Sequence, residues 1–123
     1  MSASNVPSPH IEITRLDGSD LTIFMSFGLL NKLSAMVGDL RDLPNIYMVP
    51  ELQDAMIYEL LVPRTEQGKA IQEYTLYGYS DQLSPEQGEA LLKWCEEHIT
   101  SFFLKRLQAA QALQQRLIQT MKG

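Results

Sequence analysis

Cysteine is nearly absent from this sequence, since Cys95 is the only one among 123 residues. A single cysteine excludes an intramolecular disulfide and any metal site that is built from several cysteines. The N-terminus also lacks the pattern of a secretory signal peptide, and the two observations together predict a reducing, cytoplasmic setting. No run approaches the roughly 18 consecutive apolar residues that a membrane-spanning helix needs, so we expect no membrane segment.

Positive charge is also scarce. The chain has 10 lysines and arginines against 15 aspartates and glutamates, which gives a formal net charge of −5. Neutralising phosphate groups requires a basic surface, so this balance disfavours nucleic acid as a partner. The hydrophobic share of 45% is ordinary for a globular protein, and the length predicts a single domain with a workable core.

Recognisable catalytic motifs are missing as well, including a glycine-rich phosphate loop, a Ser-His-Asp signature and the carboxylate spacing of an EF-hand. Cys95 and His98 are three residues apart on one helical face, a spacing that a metal or a nucleophile–base pair could use. However, the only other histidine is His10, and Cys95 follows Trp94 on the apolar side of the predicted helix. We therefore interpret Cys95 as a core residue and expect no enzyme activity, cofactor or metal. A small enzyme or metal protein that uses the pair is the alternative.

The N-terminal part of the chain predicts a short leader and a β-hairpin. Residues 1–9 are polar and contain two prolines, which is typical of a flexible leader. From His10 to Ser26, apolar and polar residues alternate on both sides of the turn 16–20, in which Gly18 can adopt a positive φ. Because two strands alone are marginally stable, we expect a helix to cover the apolar face of this hairpin.

Two helices are predicted next. Ser26 and Gly38 have the residue types that begin and end a helix, so the first helix spans about residues 27–37. Its apolar face is expected to contain the following residues: Phe27, Leu29, Leu30, Leu33 and Val37. After a polar linker and a short helical turn at residues 46–49, Pro50 opens another helix that ends near Leu61.

The stretch before the last helix has the weakest pattern. Leu61–Val62 and Ala70–Ile71 flank a turn that contains glycine, which predicts a second small hairpin. Strand-like spacing follows, and it includes three tyrosines: Tyr74, Tyr77 and Tyr79. Tyrosine is common in interfaces because its ring supplies a large, rigid contact area. The alternative is that these rings cap the core while their hydroxyl groups face water.

A long helix is predicted from residue 85 to about residue 120. Ser84 is a suitable N-cap, Pro85 suits the first helical position, and Gln87 completes the spacing of a capping box. A helix of about 35 residues is about 53 Å long, whereas a compact chain of this length is roughly 35 Å across. We therefore expect the helix to extend beyond its own domain, to break, or to find a partner.

The two halves of this helix differ in pattern. The half up to residue 104 has a broad apolar face that suits a domain core, with the following residues: Leu91, Leu92, Trp94, Cys95, Ile99, Phe102 and Phe103. The second half is rich in glutamine, lacks acidic residues, and has a narrower apolar seam: Leu107, Ala110, Leu113, Leu117 and Met121. Such a seam is typical of contact with one neighbouring helix or with a partner's groove. The alternative is that this half frays or packs on its own chain.

Together these elements predict an α+β domain at residues 10–104, in which an N-terminal β-hairpin packs on three helices and the last helix is long and C-terminal. Residues 1–9 are the leader, and residues 105–123 are a helical C-terminal extension. We predict that the seam of the extension and the three tyrosines bind a partner. These residues are Leu107, Ala110, Leu113, Leu117, Met121, Tyr74, Tyr77 and Tyr79.

The order of elements and three stretches of sequence resemble a known family. The stretches are MSFGLLNKL at Met25–Leu33, PELQDAMIYELL at Pro50–Leu61 and SPEQGEALLKWCEEHITSFFLK at Ser84–Lys105. Preceded by a strand, a DG turn and a second strand, they look like the small tail assembly chaperones of long-tailed bacteriophages. The resemblance covers roughly residues 11–107 and consists mostly of core positions.

The resemblance implies a non-enzymatic role. Chaperones of this family bind the long, helical tape measure protein and keep it soluble in the host cytoplasm while tail tube subunits polymerise around it. They also tend to self-associate. The implied partners are therefore the tape measure protein, the tail tube protein and further copies of this chain. The charge balance and the lack of a long apolar run add neither nucleic acid nor a membrane to them. The alternative is a structural virion protein of the tail or of the head-tail connector, which would stay in the particle.

Overall fold

The computed structural model describes residues 6–64, 67 and 76–122 of the chain. Within them, a two-stranded antiparallel hairpin precedes four α-helices, the last of which is long and C-terminal, so the predicted α+β class is confirmed. The helix beyond the three expected is α2, a single turn at Asn45–Met48 close to the predicted helical turn. None of the described helices is long and apolar enough to cross a membrane.

The predicted hairpin is present as β1 (His10–Thr14) and β2 (Asp20–Phe24). Its register pairs Ile13 with Leu21, and Ile13 and Ile23 are buried on the face that meets the helices. Gly18 has a φ of 89° in the connecting turn, a conformation that glycine adopts without a steric penalty. The alternation of the sequence therefore led to the correct face of the hairpin.

Helix α1 (Phe27–Val37) begins and ends where the capping residues predict. The Ser26 Oγ accepts a hydrogen bond from the Leu29 backbone N–H at 3.1 Å, and Gly38 has a φ of 107°. One member of its predicted apolar face is wrong, because Phe27 is 68% exposed. Successive helical residues are about 100° apart, which places Phe27 about 120° from the buried Leu33 and hence at the margin of the face.

Helix α3 (Pro50–Leu61) also matches its predicted span. The segment that packs on it begins at Leu76. That segment is a 3₁₀-helix at Leu76–Gln82, so the predicted strand-like conformation is wrong there. In the described part of the chain the sheet consists of β1 and β2 alone, so this segment does not add a strand to it. It instead docks on α3, where the Ser80 Oγ donates to Asp54 Oδ1 at 2.6 Å.

The second hairpin that we predicted does not begin where expected, because its first strand was placed at Leu61–Val62. Leu61 is the last residue of α3, and Val62 follows the helix end as a buried residue with extended backbone. The other half, Ala70–Ile71, lies outside the described residues. The chain becomes extended only after Leu61, and Arg64 forms a β-bridge, so the strand-like part on this side starts later than the pattern predicted.

The long helix α4 (Pro85–Lys122) has 38 residues, which correspond to about 57 Å. The Ser84 Oγ accepts from the Gln87 backbone N–H at 3.2 Å, as expected for an N-cap. The Gln87 side chain does not complete a capping box in this way, because its Oε1 accepts from the Thr14 backbone N–H of β1 at 3.1 Å. This hydrogen bond joins the end of the first strand to the start of the last helix.

The core is centred on the first half of α4. Its fully buried residues Leu91, Cys95 and Ile99 belong to one hydrophobic cluster with Leu33 of α1 and Met56 of α3. Burying such side chains contributes roughly 1.5–3 kcal/mol each relative to exposure. The first half of α4 therefore holds the hairpin and the shorter helices in one unit.

The predicted leader is partly wrong, since its last residues belong to the folded unit. The Ser8 carbonyl oxygen accepts a hydrogen bond from Trp94 Nε1 at 2.8 Å and lies 2.7 Å from His98 Nε2. The Pro9 carbonyl oxygen accepts from the Met25 backbone N–H at 2.9 Å. These partners are distant in sequence, so composition alone could not reveal them. Residues 1–5 lie outside the described residues.

Candidate functional site

The most unusual surface of the molecule is the last part of α4. Every described residue from 104 to 122 is exposed, and we call this stretch the projecting segment; the described residues before it form the body. Its base is fixed by Arg106, which donates from Nη2 to Asn31 Oδ1 at 3.0 Å. The same guanidinium lies 4.3 Å from the centroid of the Phe102 ring, a cation–π contact. Beyond this base the helix extends away from the body.

Large apolar side chains remain uncovered along the projecting segment. The predicted seam residues Leu107, Leu113 and Leu117 are 47%, 47% and 52% exposed, Met121 is 86% exposed, and Ala110 is exposed as well. Monomeric proteins rarely leave a continuous apolar face of this kind open to water. The structure thus brings all five predicted seam residues onto one exposed helix.

Two further residues belong to this apolar surface and were missed. Leu104 was assigned to the end of the body, yet it is 45% exposed, and Ile118 is 51% exposed. A signal for both was available, because Leu104 lies three residues before Leu107 and Ile118 lies three residues before Met121. Such spacing repeats along one side of a helix. The apolar arc is therefore wider than the predicted seam.

The predicted tyrosines do not extend this surface. Tyr79 is 2% exposed, and its ring packs edge-on against Tyr58 of α3 at a centroid separation of 5.5 Å. A partner could not reach this side chain, so Tyr79 is removed from the candidate surface, and its hydroxyl does not face water as the alternative supposed. Tyr74 lies outside the described residues, and the backbone of Tyr77 is part of the 3₁₀-helix.

Charge is divided unevenly between the two parts of the chain. Residues 1–103 contain all 15 acidic residues and six basic ones, a formal charge of −9, whereas residues 104–123 carry four basic residues and no acidic one. The basic residues are Lys105, Arg106, Arg116 and Lys122. A cationic, partly apolar helix thus extends from an anionic body, an arrangement that favours partners or orientations with complementary charge.

Acidic side chains gather on the exposed face of α4 just before the projecting segment. Glu96 accepts hydrogen bonds from the Tyr47 hydroxyl at 3.2 Å and from Thr100 Oγ1 at 2.7 Å. Burial raises the pKa of Tyr47 to about 12, and the negative charges of Glu96, Glu97 and Glu89 act in the same direction. Several carboxylates therefore lie close enough to this phenol to act on it together.

A groove lies between this acidic region and the base of the projecting segment. It has a volume of about 750 Å³, and its lining includes Val6 and Leu104 beside Glu96 and Glu97. Val6 is itself 68% exposed, so the groove combines an open apolar patch with two carboxylates and one cation, Lys105. Such a lining suits an apolar side chain that is followed by a cation.

The Cys95–His98 pair lacks the properties of a reactive site. Cys95 is fully buried, and burial raises the pKa of its thiol to about 12, so the reactive thiolate is scarce at neutral pH. The His98 ring instead contacts Trp94 edge-on at 5.0 Å and meets the Ser8 carbonyl oxygen. Among the described residues, no group of three histidine, cysteine or acidic side chains is placed to hold a metal ion.

Comparison with models of protein families, with curated proteins and with solved structures found no match to this chain.

Proposed function

We propose that this protein is a non-enzymatic assembly chaperone of a long-tailed bacteriophage. In this role it binds the tape measure protein, tail tube subunits or both in the host cytoplasm while the tail forms. The observation that carries the proposal is the projecting segment, an exposed helix with uncovered leucines on a well-packed body. The resemblance of the three sequence stretches to tail assembly chaperones supplies the identity of the partners.

The chemistry of the projecting segment suits a helical client. Ala110, Leu113 and Leu117 are three and four residues apart, so their side chains lie on one side of the helix, with Ala110 one turn before Leu113. A small residue such as alanine allows a second helix to approach closely, and the flanking leucines supply apolar area. An amphipathic segment of a long helical protein would cover its own apolar stripe by packing here.

The charge of the body supports the same role. Residues 1–103 carry a formal charge of −9, so complexes that contain this chain repel one another, which opposes aggregation of an apolar client. The body needs no reactive group for this task, since binding and exclusion of water are sufficient. In a chaperone of this kind, the stable acidic body and the helix that binds the client are therefore different parts of the chain.

A structural virion protein of the tail or of the head-tail connector is the second candidate. It would use the same helix for permanent contacts and would remain in the finished particle. Mass spectrometry of purified virions separates the two functions, because an assembly chaperone is absent or present only in traces. A stoichiometric amount of this chain in virions would favour the structural role.

The proposal is tested by removing the residues after Gln108 and coexpressing the shortened chain with the tape measure protein of the same phage. We expect the tape measure protein to become insoluble, whereas the full-length chain keeps it in solution. The matched control is the thermal unfolding of the shortened chain alone in dilute solution, which should stay close to that of the full chain because the removed residues are exposed in the single chain. Unchanged solubility of the tape measure protein would contradict the proposal.

A further inference from the structure

The projecting segment contains a heptad pattern that shares Leu107 and Met121 with the predicted seam but passes through different residues between them. Steps of three and four residues connect six positions: Leu104, Leu107, Gln111, Gln114, Ile118 and Met121. This alternation is the spacing of the a and d positions of a coiled coil. The outer four positions are apolar and exposed, and the two central ones are glutamines. The helix therefore presents a coiled-coil face of about 26 Å with a polar centre.

The sequence of apolar and polar residues along this face is palindromic. Read from Leu104 or from Met121, the face runs apolar, apolar, glutamine, glutamine, apolar, apolar. In an antiparallel coiled coil an a position of one helix faces a d position of the other. Leu104 then meets Met121, Leu107 meets Ile118, and Gln111 meets Gln114 in two equivalent layers. Each apolar side chain finds an apolar neighbour, and each buried amide finds an amide that can donate and accept.

We infer that the heptad face binds the same face of a second copy of this chain, with the two helices antiparallel. A buried polar layer at one place sets the register of such a pair, because any shift would leave the amides among apolar side chains. The resulting two-fold interface is self-complementary, as a dimer of identical chains requires.

Charge selects the antiparallel direction over the parallel one. In a parallel pair the two bodies would lie side by side, although residues 1–103 of each copy carry a formal charge of −9, and the cations of one helix would lie level with those of the other. In the antiparallel pair the bodies lie at opposite ends, and each cationic helix end approaches the anionic body of the other copy. Because Lys122 falls opposite residue 103 in this register, it reaches the groove that contains Glu96 and Glu97.

The same groove accommodates the end of the second helix. Met121, the most exposed apolar residue of the segment at 86%, lies opposite Leu104, which lines the groove together with Val6. The pair of residues at the helix end, a methionine followed by a lysine, thus matches the apolar and acidic parts of the lining. The groove and the heptad face lie next to each other and form one continuous docking surface.

The body does not obstruct this arrangement. The continuation of the heptad towards the N-terminus falls on Thr100, Glu97 and Lys93, which are polar, so the apolar face begins at Leu104. On a helical projection the heptad face points about 130° away from the buried side that contains Cys95 and Ile99. A second helix on this face therefore passes beside the body.

The inference does not rest on the proposed function. In the antiparallel pair, Leu113 points away from the contact and Ala110 and Leu117 lie at its edge, so a side of each helix remains open to another protein. An isolated helix of about 19 residues is only marginally stable in water, and pairing would supply the tertiary contact that the projecting segment lacks in a single chain.

Sedimentation equilibrium of the full-length chain tests the pairing, with two substitutions that form a matched pair. Leu107→Gln alters the heptad face and Leu113→Gln does not, although both leucines are 47% exposed in the single chain. We expect the parent protein and Leu113→Gln to form a dimer of about 28 kDa, twice the chain mass of 14.0 kDa. Leu107→Gln, which changes two leucines per dimer, should weaken the dimer on the order of a hundredfold.

A parent chain that stays monomeric at every accessible concentration would overturn the inference, as would equal weakening by both substitutions. Circular dichroism and thermal unfolding of both variants show whether the body is intact, because neither substitution touches the core. If Leu107→Gln lowers body stability, the Ile118→Gln variant at the facing position provides the same test, and it should weaken the dimer comparably.

Disulfide formation tests the direction of the helices. The Leu107→Cys and Ile118→Cys variants are prepared separately, and Cys95 stays in place because it is buried. A mixture should form a cross-link between the two variants on oxidation. Leu107→Cys alone should not cross-link, since its two copies would be about 16 Å apart along the antiparallel pair and a disulfide needs Cα atoms within about 7 Å. Efficient cross-linking of Leu107→Cys with itself would indicate parallel helices and overturn the proposed direction.

Discussion

The two halves of α4 form one continuous helix, yet they are stabilised in different ways. In the half before residue 104, five side chains are buried, and the helix is the centre of the core: Leu91, Leu92, Trp94, Cys95 and Ile99. In the projecting segment every described residue is exposed, and helix propensity is the main local support. Helical conformation alone therefore says little about whether a segment belongs to the folded body.

The comparison also separates two uses of apolar residues. Leu91 and Leu113 are the same amino acid in the same helix, but Leu91 is fully buried by its own chain and Leu113 remains 47% exposed. Burial in the body contributes to folding, whereas the apolar area of the projecting segment is available for binding. Introducing comparable substitutions into the two halves of α4 measures how they differ in accessibility and in their contribution to stability.

Thiol labelling should give the largest difference. At neutral pH, Cys95 should react with a thiol reagent only when the body opens, whereas the cysteine of a Leu113→Cys variant should react at once. For a domain of ordinary stability we expect the two rates to differ by at least about a thousandfold. The measurement is the time course of labelling, with each site identified by mass spectrometry. Comparable rates would mean that Cys95 is not enclosed by the body.

Truncation of matched leucines should give the next largest effect. Leu91→Ala removes side-chain contacts in the core and should lower the free energy of unfolding by about 2–5 kcal/mol. Leu113→Ala should change it by less than about 0.5 kcal/mol in dilute solution, because its side chain is exposed to water. Urea unfolding of both variants measures these values. A similar loss for both would show that the projecting segment packs against its own body.

Loss of the N-cap at the start of α4 should have an intermediate effect. Ser84→Ala removes the acceptor for the Gln87 backbone N–H and should lower the free energy of unfolding by about 1 kcal/mol. Ser84→Gly is the control, since glycine at an N-cap costs only a few tenths of a kcal/mol. Urea unfolding again provides the measurement. If the alanine variant is as stable as the parent, the cap does not contribute to the anchoring of the helix.

At neutral pH the ionisation of Tyr47 should give the smallest effect, because the phenol on the acidic face of the body is protonated in both the folded and the unfolded state. The folded protein raises the pKa of this phenol from 10.0 to about 12, so the folded state retains the proton longer than the unfolded state. The contribution of the Tyr47 hydroxyl to the free energy of unfolding is therefore complete below pH 10, and it is lost as the pH rises towards 12. The difference in phenolate absorbance between the parent and Tyr47→Phe measures this titration. A midpoint near 10 would indicate that neither burial nor the carboxylates of Glu96, Glu97 and Glu89 raise the pKa of this hydroxyl.

Local signals predicted the ends of the helices well. Ser26, Gly38 and Ser84 act within a few residues of their own positions, so their residue types were sufficient. The turn at Gly18 and the exposed leucines of the last helix were accessible for the same reason. Periodicity and capping chemistry are properties of the chain before it packs.

Features that depend on distant residues could not be predicted in this way. Gln87 has the spacing of a capping box, yet its side chain binds Thr14, which is 73 residues earlier. Ser8 was assigned to a leader because its partners, Trp94 and His98, are more than 80 residues away in sequence. Tyr79 is buried because α3 covers it, a contact that the local pattern does not contain. In each case tertiary contact decided the outcome.

Hydrogen exchange of the full-length chain at several concentrations tests most directly whether the projecting segment is stabilised by another chain. We predict that amides near Leu91, Cys95 and Ile99 are strongly protected at every concentration. Amides from Leu107 to Met121 should exchange rapidly in dilute solution and become protected as the concentration rises or when a binding partner is added. Strong protection of both halves at every concentration, without a partner, would contradict the division of α4 into a core half and a binding half.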